Sequence, residues 1–150
     1  MNYAKSFHLF DRSFVIHSDG NAITALHPGT TESEHPCPIL ETAALQLREY
    51  ASGSRTNFTL PLAPCGTAFQ LRVWDALQEI PYGNTRTYGE IAAALGNPSA
   101  ARAVGMACNK NPILLLIPCH RVIGKQGNPV GYAAGLDLKQ ELLNLEKRTI

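Results

Sequence analysis

The stretch TYGEIAAALGNPSAARAVGMACNK, residues 87–110, restricts what this chain can fold into more than any other part of it. Thr87-x-x-Glu90 has the form of a capping box, in which two side chains satisfy the free backbone N–H groups at a helix start. Gly96 can close that helix in the left-handed conformation, and Asn97-Pro98 can open another as N-cap and first helical residue. Two helices joined by so short a turn form either a helix-turn-helix or a plain helical hairpin packed in a core. The second helix shifts the balance. Ala100, Ala101, Ala103, Val104, Gly105 and Ala107 are small nearly all round, with Arg102 the one large probe among them. A core helix brings bulk to fill volume, whereas a bare helix can approach another backbone closely, the walls of a DNA groove included.

Upstream, residues 3–27 read as short strands around a turn, because β-branched and aromatic residues alternate with polar ones and Asp19-Gly20-Asn21 supplies turn chemistry. Residues 38–51 place Ile39, Ala43, Leu47 and Tyr50 at helical spacing behind Pro38, which predicts a helix covering that sheet. LPLAPCG, residues 60–66, is the natural linker, so a domain is expected at 1–65 and a second at 66–150. Thr67-x-x-Gln70 is a further capping box, with Phe69, Val73, Ala76, Leu77 and Ile80 at helical spacing until Pro81-Tyr82-Gly83. Near the C-terminus Gly131-Tyr132-Ala133-Ala134-Gly135 reads as a close-approach loop, and Asp137 as the cap of a helix with Leu138, Leu142 and Leu145 inside.

No window approaches the 18 or so continuous apolar residues of a membrane span, and MNYAKSFHLFDRSF lacks the order of a signal peptide, so an intracellular protein is expected, cytoplasmic, or nuclear if the source is eukaryotic. The four cysteines, Cys37, Cys65, Cys108 and Cys119, have no CxxC spacing and read as free thiols. Net charge is +1, but residues 65–150 carry nine basic against six acidic side chains and residues 1–64 four against six. That mild asymmetry suits a nucleic-acid face or an ordinary solvated surface.

Within NPILLLIPCHRV, residues 111–122, five aliphatic residues and a proline lead to a thiol beside an imidazole and a guanidinium. Burial ordinarily raises a thiol pKa and leaves it inert, which suits Cys37, Cys65 and Cys108. Cys119 differs: His120 offers a proton acceptor and Arg121 a positive field, both favouring the nucleophilic thiolate. If the segment is extended, alternate side chains point to opposite faces and His120 acts through a water or a local turn. A third group should orient the imidazole, and Glu90, Glu141 and Glu146 are all candidates.

PCHRV at 118–122, with the preceding NPILLLI and the helix pair carrying ARAVG, resembles the O6-alkylguanine-DNA alkyltransferase family from about Gly66 to Glu146. The resemblance implies an α/β protein: a small sheet-plus-helix, RNase H-like N-terminal domain, then a mostly helical domain with a winged-helix-like helix-turn-helix. It implies direct reversal of DNA damage, with the alkyl group moving once and irreversibly from O6 of guanine, and as a second substrate from O4 of thymine, to Cys119. By the same resemblance His120 is the activating base, Glu146 the carboxylate orienting it, and Tyr88 the donor to guanine N3. Arg102 fills the stack after base flipping, Ala100 and Ala101 face DNA, and Asn111 braces the turn leading to the acceptor. Cys108, Val122, Tyr132, Ala133 and Ala134 fall on the alkyl pocket. The implied partner is double-stranded DNA bound through its minor groove by a monomer. No cofactor and no metal is expected, since His35 and Cys37 stand in a proline-rich loop without a recognisable ligand quartet.

Two positions depart from the family pattern. Ala134 stands where a glycine is usual, and its methyl is expected to slow reaction with bulky O6 groups such as benzyl. Asn109 stands where relatives often carry a basic residue, which predicts a weaker phosphate grip and a shallower salt dependence. Three rivals are less compatible with the sequence. A DNA-binding relative without chemistry would lack Cys119; a sequence-reading regulator would present Arg, Gln or Asn on its recognition helix; a Cys-His hydrolase would need an oxyanion hole.

Overall fold

Alternating β-branched and aromatic residues build the first layer of the computed structural model, which describes residues 2–127 and 131–149. Strands β1 (Tyr3–Leu9), β2 (Arg12–Ser18) and β3 (Ile23–Pro28) form an antiparallel sheet in the order β1-β2-β3. Phe7 faces Phe14 and Ile16 faces Leu26 across the ladder, and all four are buried. The β1–β2 turn is made by Phe10 and Asp11, both left-handed at φ 54° and 58°. That conformation matches the right-handed twist of a hairpin, but such residues adopt it rarely, and the sequence carries no glycine to announce it. The β2–β3 turn follows expectation: Asp19 Oδ1 accepts from the backbone N–H groups of Asn21 and Ala22 at 2.8 and 2.9 Å.

Helix α1 (Pro38–Ala51) starts at its proline, which needs no hydrogen-bond partner at that position. Its inner face is Leu40, Ala43, Ala44, Leu47 and Tyr50; Ile39, expected inside, is only half-buried. The short segment 112–114 groups with this unit, because Leu26 N–H donates to Pro112 O at 2.8 Å and Leu114 N–H to Leu26 O at 3.1 Å. The chain therefore divides into residues 1–65 with 112–114, and residues 66–111 with 115–150. The second unit is not the uninterrupted stretch 66–150 expected from the linker, since the aliphatic run contributes Ile113 to the first core.

In the second unit both capping boxes close as the sequence requires. Thr67 caps α2 (Ala68–Gln78) with Gln70, and Thr87 caps α3 (Tyr88–Ala94) with Glu90. Gly96 is left-handed at φ 83°, but Pro98–Ala100 form a single 3-10 turn, so α4 (Ala101–Asn109) starts three residues later than Pro98. Trp74, absent from the expected α2 stripe, is buried and donates from Nε1 to Ala107 O at 2.9 Å, tying α2 to α4. Two short parallel strands, β4 (Arg86–Thr87) and β5 (Val122–Ile123), link the start of α3 to the segment after Cys119. Helix α5 (Leu136–Thr149) packs Leu138, Leu142 and Leu145 inward. Asp137 lies in its first turn and is not its cap, because the helix begins one residue before it. Among the described residues no helix is long and apolar enough to cross a membrane.

Candidate active site

Cys119 opens a single 3-10 turn, Cys119–Arg121, entered through Pro118. Successive residues of such a turn point about 120° apart, so Cys119, His120 and Arg121 fan out and do not alternate between two faces as in an extended strand. All three are buried. The approach is bent: Leu115 is left-handed at φ 70°, and residues 113–117 are all buried without forming a strand. Asn111 braces this bend with one amide group, donating from Nδ2 to Ile117 O at 2.9 Å and towards Cys119 Sγ at 3.2 Å. A donor aimed at sulfur favours the thiolate.

Of the three carboxylates left open by spacing, Glu146 is the one beside the imidazole. Glu90 is engaged in its capping box and exposed; Glu141 is half-buried on α5. Glu146 Oε2 lies 2.8 Å from His120 Nε2. The same carboxylate accepts from Arg121 Nε at 2.9 Å, Arg121 Nη2 at 3.1 Å and the Gly83 backbone N–H at 3.1 Å. Burial works against its charge, but the hydrogen bonds and charges of His120 and Arg121 outweigh burial and bring the carboxyl down to about 2. Burial in turn holds His120 below its ordinary value, so the ring is a neutral base near pH 7 even with Glu146 beside it.

Arg121 does not serve the role expected of it. Its guanidinium is spent on Glu146 and on Ile80 O, 2.7 Å from Nη1. The cation whose field reaches the thiol is Lys139, which the sequence reading overlooked. It is fully buried one residue past Leu138 on α5, and its Nζ donates to Val122 O at 2.5 Å and Gly131 O at 3.1 Å. Burial pushes the Cys119 thiol up to about 11, with Asn111 and Lys139 opposing that rise. A lysine directly beside the Leu138, Leu142 and Leu145 stripe was the available signal, since a charge at the edge of an apolar face needs a local purpose once that face is buried.

Tyr88, the first residue of α3, is half-buried, and burial followed by the charges of Cys108 and Cys119 pushes its hydroxyl up to about 12. Its ring packs beside Gly105, where an added methyl would stand 3.8 Å away, and lies 5.9 Å from Lys139 Nζ. Cys108 is buried and pushed up to about 12 by burial and by Cys119. Val122 is buried and joined to Lys139 through its carbonyl. Tyr132 is buried, Ala134 half-buried and Ala133 exposed.

A groove of about 860 Å³ runs between α3 and α4, lined by Tyr88, Ala101, Arg102, Gly105, Met106 and Asn109 among others. Arg102 is exposed, Ala100 and Ala101 are half-buried. Arg102 is not the only large probe on α4: Met106, one turn on, is 64% exposed. Lys125 also lines the groove and supplies a cation on the loop after β5. Among the described residues, no group of three or more His, Cys, Asp or Glu is placed to hold one metal ion.

The model of the 6-O-methylguanine DNA methyltransferase DNA-binding domain matches residues 68–148. The chain is 60% identical over 104 residues to a methylated-DNA–protein-cysteine methyltransferase of Methanosarcina acetivorans, covering 69% of this chain and 67% of that protein. An inducible protein of the same name from Bacillus subtilis is 52% identical over 109 residues, covering 73% of this chain and 61% of its own length. The crystal structure of Mycobacterium tuberculosis OGT in complex with DNA matches with a TM-score of 0.91 at 42% identity, over 98% of this chain and 94% of that one. A family match over more than half of the residues, and a fold match over nearly all of them, give one conclusion: the chain belongs to the 6-O-methylguanine DNA methyltransferase family.

Proposed function

We propose that this protein repairs DNA by moving an alkyl group from O6 of guanine to Cys119, once per molecule. The observation that carries this reading is the buried succession Asn111, Cys119, His120, Glu146 beside a groove that exposes Arg102. In the resting site the thiol keeps its proton, since burial holds it at about 11. His120 takes that proton, through a water, when substrate is bound; Glu146, already anionic and half neutralised by Arg121, stabilises the imidazolium that forms. Lys139 balances the new negative sulfur. Sulfur then forms a bond to the alkyl carbon, the carbon–O6 bond breaks, and the electron pair goes to guanine. Tyr88 donates its hydroxyl hydrogen towards N3, where charge develops only as the bond breaks. The thioether has no easy hydrolysis, so the protein is consumed. Reaction at O4 of alkylated thymine belongs to the same proposal.

O6 is inaccessible inside a duplex, so the nucleotide must be extruded, at a cost of a few kcal/mol. Arg102, long, planar and exposed, suits the vacated stack, and the small Ala100, Ala101 and Gly105 favour close approach of α4 to the minor groove of double-stranded DNA. In this reading α3 and α4 act as a winged-helix-like reader, residues 1–65 as an RNase H-like companion domain, and the protein works as a cytoplasmic monomer. Cys108, Val122, Tyr132, Ala133 and Ala134 shape the alkyl pocket. The test is intact mass after incubation with a duplex carrying O6-methylguanine. One added methyl, on the Cys119 peptide and absent in Cys119→Ser, is expected; an unmodified chain rejects the proposal.

A further inference from the structure

One pair of side chains in the first unit is arranged for coordination chemistry that alkyl transfer does not use. His17 on β2 and His27 on β3 are diagonal neighbours on one face of the sheet, since His17 pairs with Ala25 and Val15 with His27. Their Nε2 atoms are 3.0 Å apart, and the rings lie 22° from parallel with centroids 5.1 Å apart. His27 Nδ1 is 3.0 Å from Pro28 O. A carbonyl only accepts, so Nδ1 carries the hydrogen and the neutral ring presents its Nε2 lone pair to His17. Metal-bound imidazoles are held in this way, with the second nitrogen donating to a carbonyl. His17 is half-buried and His27 exposed, so the pair is open to solvent, and the cross-strand neighbours of His17, Ala4 and Ala25, are small.

We propose that His17 and His27 form a two-imidazole site for a late first-row divalent cation, Cu2+ or Ni2+ ahead of Zn2+, which links β2 to β3. With metal–nitrogen bonds of about 2.0 Å, two neighbouring ligands stand about 2.8 Å apart in square-planar and about 3.3 Å apart in tetrahedral geometry. The observed 3.0 Å falls between them. Imidazole suits all three metals, and affinity peaks at Cu2+. Water completes the coordination, because the described residues bring no third His, Cys, Asp or Glu to the pair. In the cation-free pair one hydrogen sits between the two Nε2 atoms. On binding, His17 keeps its proton by shifting it to Nδ1, both lone pairs go to the metal, and no electron is transferred.

The test is calorimetric titration of the full chain with NiCl2, with CuCl2 binding followed by electron paramagnetic resonance in a Cys37→Ser/Cys65→Ser background. One cation per chain is expected, with nitrogen coupling from two imidazoles and affinity weakened about tenfold or more by His17→Gln or His27→Gln. Methyl transfer to Cys119 should be unchanged in the double variant, which also shows that the variant folds. Unchanged Ni2+ affinity in that variant, or a wild-type Cu2+ spectrum without nitrogen coupling, overturns the proposal.

Discussion

The acceptor cluster and the outer face of α4 lie in the same unit and are built on opposite plans. Around Glu146 every charge is buried and answered: one carboxylate accepts from His120, from Arg121 twice and from the Gly83 N–H. On α4, Arg102 and Met106 stand out from small neighbours and are exposed. The contrast teaches where each function keeps its specificity. In the proposed reading, proton transfer needs groups fixed before substrate arrives, and the buried, hydrogen-bonded cluster meets that need at the cost of burying ions. In the same reading, groove binding needs close approach and one or two long side chains, which matches the small residues of α4 around Arg102 and Met106.

Breaking the cluster should have the largest effect. Glu146→Ala leaves Arg121 buried without its carboxylate, and a loss of about 3–5 kcal/mol in urea unfolding is expected, together with loss of methyl transfer. A variant that unfolds at the wild-type midpoint would show that the cluster does not hold the unit together. Next in size is acid sensitivity. The Glu146 carboxyl is at about 2 when folded, below its ordinary value, so its contribution to stability is present above the unfolded value near 4.5 and lost as pH falls through about 2. His120 is also lowered, so the folded state again binds fewer protons and stability falls as pH drops below about 6.5. Both act in one direction, and the unfolding free energy should decline from pH 7 to pH 2 by an amount of order 3 kcal/mol, seen as a falling urea midpoint. A midpoint independent of pH would contradict the charge assignment.

The α4 face should respond the other way round. Arg102→Ala is expected to slow methyl transfer from duplex DNA by about 10- to 100-fold, the equivalent of about 1.4–2.7 kcal/mol, while leaving unfolding within about 0.5 kcal/mol of wild type. If the substitution slows reaction with free O6-methylguanine by the same factor as reaction with the duplex, Arg102 acts on chemistry and not on the stack. Met106→Ala should have the smallest effect, a few-fold weakening of DNA binding measured by fluorescence anisotropy, with stability again unchanged within about 0.5 kcal/mol.

What could be read from the sequence follows the same divide between local and distant contacts. Thr67 with Gln70 and Thr87 with Glu90 are three residues apart, so both capping boxes were visible in the chain and formed as spaced. Asp19 announced its turn for the same reason. Arg121 meets Glu146 across 25 positions, and no local rule could distinguish that partner from the adjacent thiol. Lys139 reaches Val122 O across 17 positions and was lost among the leucines of α5. The left-handed Phe10 and Leu115 were invisible because nothing in those residue types favours that conformation, and Asp11, a type that tolerates it, had no glycine or asparagine beside it to mark a turn. Ile39 gave way to Leu40 because the sheet, not the periodicity, decides which edge of the α1 stripe goes inside.

The burial of Cys119 has a consequence for chemical selectivity. Cys65 is exposed and Cys37 partly so, whereas the acceptor is sealed and keeps its proton until about pH 11. Small electrophiles dissolved in water therefore meet the outer thiols first and find little thiolate at the inner one. A protein that can react once is in this way spared from reacting with the wrong partner.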